Sequence, residues 1–215
     1  KSLFLGIMVW PAKESNRCRL ADYFNKILNG DSATLAWKNW YIAADTVKRV
    51  VIAAGSGVEL IDTAFVTDLP ILSTKLGLAG AGNGGFSGFI TDDYNIFTKK
   101  HSAKEYRPVF YAVKQLAEKL KGTQSILREQ SDESVRLYKI ETSKEKFWIG
   151  WLHPDYLVLP ADSEPKKSVF LDLASGAKVS SMAKTASSEE AINVNPVNGK
   201  VSVEFTMTPV YIFEK

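Results

Sequence analysis

Several residue types are scarce, and each scarcity excludes a class of site. Cys18 is the single cysteine, so no disulfide can form within the chain. The two histidines, His101 and His153, stand in polar surroundings, and no cluster of Cys and His has the spacing of metal ligands. No GxSxG segment, the nucleophile elbow of many serine hydrolases, is present. We therefore predict no metal site, no cofactor and no nucleophilic serine of that type.

Long apolar runs and an excess of charge are also missing. No apolar run reaches the roughly 18 residues of a membrane-spanning helix, so we predict no membrane span. The 27 basic residues against 24 acidic ones leave a net charge of +3. That charge is too small, and Lys and Arg are too dispersed, for a nucleic-acid partner. The chain starts at Lys1 without a signal-peptide pattern, so we expect a processed chain or a piece of a longer one.

The glycine run GLAGAGNGGFSGF, at 77–89, contains the letters of a dinucleotide-binding loop. Such a loop must join a strand directly to a helix, whose N-terminus holds the phosphates. Here the preceding strand is predicted to end near Val66, and no amphipathic helix follows before residue 105. We therefore predict a surface loop, with a loop beside a ligand site as the sharper alternative.

The first half of the chain alternates strand-like and helix-like segments. Apolar runs at 3–10 and 58–66 are typical of buried strands in parallel sheets. Apolar positions at helical spacing predict helices over 19–28, 35–54 and 108–122, with a polar loop before the first and no firm period over 71–104. This order predicts an α/β layer.

The second half reads as strands only. Short alternating runs occur at 134–140, 146–152, 167–173, 200–205 and 209–214, separated by turn dipeptides such as Asn198-Gly199. They predict an antiparallel β-sandwich. The predicted fold is thus α/β followed by all-β, with one domain over 1–121 and a second over 122–215.

Two acids follow the two predicted parallel strands. Glu14 lies just past the first and Asp68 just past the second, and Trp10 ends the first. The carboxyl ends of parallel strands share one edge, where ligands bind in such folds. We therefore expect Glu14 and Asp68 at one site. The alternative is that both are solvated loop acids and that Trp10 belongs to the core.

Five segments match the pattern of one protein family. They are LFLGIMVWP (3–11), WKNWYIAADTVKRVVIAAGSGVELIDTAFVTD (37–68), LGL (76–78), YRPVFYAVKQLAEKL (106–120) and VEFTMTPVYIFE (203–214). Together they resemble the end of a retaining glycoside hydrolase of the large clan with catalytic glutamates on strands four and seven. Residues 1–121 resemble the last two units of its (β/α)8 barrel, and 122–215 resemble its accessory β-sandwich.

The resemblance implies a carbohydrate-active protein that hydrolyses glycosidic bonds. It makes Glu14 the candidate catalytic residue, because LFLGIMVW holds no carboxylate where the family has its nucleophile and Gly6 or Ile7 stands there instead. It also implies that Trp10, Phe65 and Asp68 bind substrate. Two strands cannot close an eight-stranded barrel. We therefore expect an upstream barrel segment, a partner chain or self-association, and an isolated chain without activity.

A second interpretation stays open beside this one. The chain is then a non-catalytic module, derived from a glycosidase, that binds a glycan or a protein. A lone thiol fits a reducing compartment or a disulfide-free secreted protein. Between these we favour a secreted or periplasmic location.

Overall fold

A computed structural model describes residues 13–58, 88–95, 97–98, 100–129, 132–187 and 190–215. The strand predicted at 3–10, almost all of the strand predicted at 58–66 and the glycine run up to residue 87 lie outside these residues. So does the parallel layer that those strands would form.

The described residues form helices and antiparallel sheets, and strands outnumber helices. The helices are α1 (Glu14–Leu28), α2 (Ser32–Gly55) and α3 (Pro108–Lys119). The first strands are β1 (Ile90–Asn95), β2 (Lys100–Tyr106), β3 (Thr123–Glu129), β4 (Val135–Thr142) and β5 (Lys146–Leu152). The remaining strands are β6 (Lys167–Leu171), β7 (Ala177–Ser181), β8 (Ala191–Val194), β9 (Val201–Phe205) and β10 (Val210–Glu214).

The chain divides into two compact units. The first contains the described residues within 13–42, 88–110 and 157–162, and the second contains those within 43–58, 111–156 and 163–215.

In the first unit, α1 packs through one apolar face. Tyr23 and Ile27, four residues apart on the same side of the helix, are buried with Leu159. The helix begins at Glu14, five residues before the predicted start at Arg19, so the polar loop predicted there is wrong. A carboxylate in the first turn suits the positive end of the helix dipole, which explains why this polar segment is helical.

Helix α2 confirms the prediction of a long helix over 35–54. The Asp31 carboxylate accepts a hydrogen bond from the Thr34 backbone N–H at 2.8 Å, which is an N-cap. Hydrogen bonds from the Thr34 side chain and then from its backbone N–H lower the pKa of Asp31. Beyond the helix end, Gly57 takes a φ of +81°, a left-handed conformation that glycine adopts without strain.

The hairpin β1–β2 occupies a segment in which the sequence shows no firm period. It pairs antiparallel from Ile90 with Tyr106 to Asn95 with Lys100. The following Arg107 is buried, and its guanidinium donates to the Gly88 carbonyl at 3.3 Å. The absence of a firm period over 71–104 therefore leaves these two strands unassigned from the sequence.

The second unit is built on a six-stranded sheet of order β3-β4-β5-β10-β7-β8 and a two-stranded sheet of β6 and β9. Every pairing is antiparallel, as predicted for this half. The two sheets share one core, to which β9 contributes Val201, Val203 and Phe205. We call the sheet face that carries Leu137, Trp148, Val179 and Ile212 the core face; these positions share one strand parity.

The opposite face of the six-stranded sheet, here the helix face, is covered by helical residues of the same unit. Its buried aromatic side chains include the stacked pair Tyr138 and Trp151, with ring centroids 5.5 Å apart. Gly55 at the end of α2 lies against the Tyr138 ring, because an added Cβ would be 3.0 Å from it. Lys119 of α3 lies over the Phe213 ring. Helices and sheets of this unit are therefore packed together.

Candidate functional site

Of the four predicted site residues, Glu14 alone is among the residues that the structure describes. Glu14 is the first residue of α1 and is exposed to solvent. Trp10, Phe65 and Asp68 lie outside the described residues. The common edge predicted for Glu14 and Asp68 therefore stays a prediction, as do the catalytic role of Glu14 and the substrate-binding roles of Trp10, Phe65 and Asp68.

The second unit contains a groove that the sequence does not indicate. Its volume is about 630 Å³, within the ~300–1,000 Å³ of small-molecule sites. It lies between α3 and the strands β7 and β8, on the helix face of the sheet. It is lined by Tyr111, Lys114, Gln115, Glu118, Lys119, Glu145, Lys178, Ser180, Ala183, Thr185, Ala186, Ser187, Ala191 and Phe213.

Helix α3 supplies one wall because of its residue spacing. Tyr111, Lys114, Gln115 and Glu118 recur at three and four and therefore lie on one side of the helix. The adjoining stripe of Ala112 and Leu116 is buried. The helix thus presents a polar, partly aromatic side to the groove while an apolar stripe packs inward.

Gln115 fixes the helix to the strand below it. The Gln115 side-chain N–H donates to the Ser181 carbonyl at 3.3 Å, and its oxygen accepts from the Ala183 backbone N–H at 2.7 Å. The side chain is buried, so both atoms need partners inside the protein. One amide thereby holds α3, the end of β7 and the following loop in place along the groove.

Phe213 closes one end of the groove through two ring contacts. The Lys119 ammonium lies 4.5 Å from its ring centroid, a favourable cation–π geometry. Phe147 stacks on it with centroids 5.2 Å apart. These contacts place the positive charge of Lys119 at this end of the groove.

Ser180 is the unusual residue in the floor. Its neighbour Val179 belongs to the core face, so strand alternation directs the Ser180 side chain to the helix face, where the groove lies. Ser180 is 3% exposed, and its hydroxyl has no hydrogen-bond partner among the described residues. A buried hydroxyl without a partner costs about 1–3 kcal/mol.

The rim of the groove carries charges of both signs. Lys114, Lys119 and Lys178 are cationic, and Glu118 and Glu145 are anionic. Among the described residues, no ion pair ties Lys114 or Lys178 to a carboxylate, and none ties Glu118 or Glu145 to a cation. The groove thus has two ammonium groups and two carboxylates available to a ligand, besides the ring-bound Lys119.

Comparison with known proteins finds one similar solved structure and no match to a family model or a curated protein. The similar structure is a family 39 glycoside hydrolase from the gut symbiont Bacteroides cellulosilyticus WH2. The identity is 12%, the TM-score is 0.46, and the match covers 80% of this chain and 30% of that chain. This chain therefore spans less than a third of that enzyme's length.

A second groove in the second unit, of about 620 Å³, is lined in large part by residues of β7, β8 and β9. No group of three or more metal-ligating side chains occurs within the part of the chain that the structure describes. None of the described helices is both long and apolar enough to cross a membrane. A small pocket of about 140 Å³ in the first unit is lined by Arg19 and Asp162, which pair with each other, and by Asp22 and Lys26, which do the same.

One further group in the second unit is electrostatically perturbed. Burial lowers the pKa of Lys48, on α2, to about 8, against the opposing effect of Asp45 and Glu164. For this half-buried ammonium, the energetic cost of lost hydration is therefore larger than the stabilisation by the two carboxylates.

The groove was missed because its strands carry weak signals. Strand β7, AKVSS, has one strongly apolar residue, and β8, AINV, is too short for a period. A signal was present in α3. Polar residues recur there beside the buried stripe at positions that share one side of the helix, and Gln115 interrupts that stripe.

Proposed function

We propose that the chain is the C-terminal portion of a (β/α)8-barrel glycoside hydrolase. In this proposal residues 1–121 are the last two barrel units, and 122–215 are an accessory β-sandwich. The protein acts on carbohydrate and hydrolyses a glycosidic bond when the remainder of the barrel is present. That remainder is an upstream segment, a partner chain or a second copy.

The contact between Lys119 and Phe213 carries the proposal. Lys119 belongs to the segment that resembles the closing barrel helix, and Phe213 belongs to the segment that resembles the last sandwich strands. They meet at 4.5 Å. The first segment is helical at Pro108–Lys119, and the second contains the end of β9 and all of β10. Two separate pieces of the family pattern thus meet in one compact unit.

The chemistry of such an enzyme needs two carboxylates about 5 Å apart, one as nucleophile and one as acid/base. We propose Glu14 as the chain's candidate for one of them, with Trp10, Phe65 and Asp68 lining the substrate site. The second carboxylate comes from the rest of the barrel. The isolated 215-residue chain is then inactive, because one carboxylate cannot perform both roles.

The test compares the native protein from its source with the isolated chain. Both are incubated with a panel of aryl glycosides and oligosaccharides, and released reducing ends are measured. We expect hydrolysis by the native protein and none by the chain. Turnover by the chain alone would show that it needs no further barrel segment. Absence of both hydrolysis and glycan binding in the native protein would refute the carbohydrate assignment.

A second candidate function is a non-catalytic module that binds a glycan or a protein. The groove beside α3 supports it, since that site is built from residues of one compact unit and needs no further segment. Binding without turnover distinguishes the two candidates. Quenching of tryptophan fluorescence by a glycan, with no reducing ends released by the native protein, would favour the binding module.

A further inference from the structure

We propose that the groove between α3 and strands β7 and β8 binds a small saccharide that carries an oxyanion. The saccharide half of this assignment rests on the proposed function. The oxyanion half rests on the charges of the groove alone. The residues of this groove are all on the second compact unit.

The buried hydroxyl of Ser180 is the first argument for a ligand. It faces the helix side of the sheet, lines the groove and lacks a partner among the described residues. Proteins rarely bury a polar atom without a partner, and such atoms often mark the place of an absent group. A small shift of the side chains around the floor would let a ligand hydroxyl or oxyanion oxygen supply the missing hydrogen bond.

The charges of the rim define the ligand class. Lys178 on β7 and Lys114 on α3 belong to opposite walls, and each ammonium can donate to an oxyanion between them. Glu118 and Glu145 accept hydrogen bonds and cannot donate when ionised, so they suit sugar hydroxyls. Three lysines against two glutamates favour a ligand with a negative charge over a neutral one.

The groove is also preorganised for such a ligand. Gln115 ties α3 to the Ser181 carbonyl and the Ala183 N–H, so the distance between the two walls is set by a buried amide. Lys119 is held on Phe213. Little ordering of the walls is then needed on binding, which reduces the entropic cost of association.

Four probes separate the possible sources of this chemistry. The full 215-residue chain, labelled with ¹⁵N, is titrated with glucose 6-phosphate, glucuronate, glucose and inorganic phosphate, and the backbone amide shifts of Ser180 and Ala183 are followed. We expect glucose 6-phosphate, glucuronate or both to bind in the millimolar range, at least tenfold more tightly than glucose or phosphate. The two anionic sugars distinguish a phosphate from a carboxylate as the recognised group.

Two variants place the ligand within the groove. Lys178→Met and Ser180→Ala should each weaken the anionic sugar at least threefold, while Lys144→Met and Ser181→Ala, which change exposed residues outside the floor, should not. Ser180→Ala should also raise Tm by about 2–4 °C without ligand, because it removes a hydroxyl that lacks a partner.

Four results would overturn the proposal. If glucose binds as tightly as the anionic sugars, the site does not recognise the oxyanion. If phosphate binds as tightly as glucose 6-phosphate, the site does not recognise the saccharide. Equal binding by wild type and Lys178→Met would place the ligand elsewhere, even if Ser180→Ala did not fold. Failure of all four probes would refute the groove but leave the proposed function untouched, since hydrolysis by the native protein is measured separately.

Discussion

Replacing Gly150 by alanine should destabilise the second unit through a clash inside its core. Gly150 lies in the middle of β5 on the core face. An added Cβ would lie 2.6 Å from Cε1 of Phe205 and 2.9 Å from Cδ1 of Leu137. Both side chains are buried, at 0% and 2% exposure, so neither has free space into which to move. The glycine is therefore required by the close approach of β9 to the larger sheet.

The magnitude follows from two opposing effects. Forcing an extra methyl into a packed core costs about 1–3 kcal/mol. Alanine also restricts the unfolded chain, which returns roughly 0.4–1 kcal/mol. The net loss should be about 1–2 kcal/mol, equivalent to a Tm decrease of about 3–6 °C for a chain of this size.

Urea unfolding of Gly150→Ala, Phe205→Leu and the double variant measures this effect. Leucine at 205 removes the ring carbon nearest to the new methyl. The double variant should therefore be more stable than the sum of the single losses predicts, by about 0.5 kcal/mol or more. Ser202→Ala, at an exposed position on β9, is the control. A neutral Gly150→Ala, or strictly additive losses, would refute the close packing of the two sheets.

Three further predictions concern single side chains. Lys48→Met should raise the free energy of unfolding at pH 7 by roughly 2–3 kcal/mol, and this gain should shrink as the pH rises from about 8 to 10.5. The unfolded chain binds more protons than the folded one in that window, so wild-type stability itself increases there. Asp132, hydrogen-bonded by Lys167 and by Ser134, should titrate near pH 2 by NMR, and Lys167→Met should raise its pKa. The stability from this lowered pKa is present above the unfolded value and is lost as the pH falls through about 2. Gln115→Leu should lower the free energy of unfolding in urea by about 1–3 kcal/mol, because the Ala183 N–H then loses its hydrogen-bond acceptor.

Each of these predictions has a matched control. Arg49→Met changes the exposed neighbour of Lys48 and should show no gain that depends on pH between 8 and 10.5. Lys114→Leu changes the exposed neighbour of Gln115 and should stay within about 0.5 kcal/mol of wild type. A gain in Lys48→Met that is constant with pH would contradict a buried ammonium as its cause. An Asp132 midpoint unchanged by Lys167→Met would contradict the ion pair, and a neutral Gln115→Leu would contradict the amide bridge.

The strands of the second half could largely be predicted, because one face of each is buried. In β9, Val201, Val203 and Phe205 are buried while Ser202 and Glu204 are exposed, so the sequence alternates with the burial. The predicted run 146–152 matches β5 residue for residue. In the Asn198-Gly199 turn both residues take a positive φ, as that dipeptide predicts.

The remaining strands could not be predicted, because local pattern did not determine them. Strand β3 is half-exposed at an edge of the sheet, and β8 is mostly exposed at the other edge. Their position depends on pairing with neighbours distant in sequence, which overrides weak local preference. The helix start at Glu14 was missed for a similar reason. Its first turn is polar and carries no apolar period.

The polar side of α3 is visible in the sequence, but the strands that complete the groove could not be predicted, for a geometric reason. Gln115 and Ser181 are 66 residues apart, yet one hydrogen bond joins them. Nothing in either segment indicates the other. The prediction that Glu14 and Asp68 share one site rests, in contrast, on two parallel strands, and almost all of their residues lie outside the described ones.

The most direct test of the central claim is glycoside hydrolysis by the native protein and by the 215-residue chain, measured side by side as released reducing ends. The account predicts turnover by the native protein, none by the isolated chain, and restored turnover when the rest of the barrel is supplied. Turnover by the isolated chain would contradict the need for a further barrel segment. No turnover and no glycan binding by the native protein would contradict the assignment to carbohydrate chemistry itself.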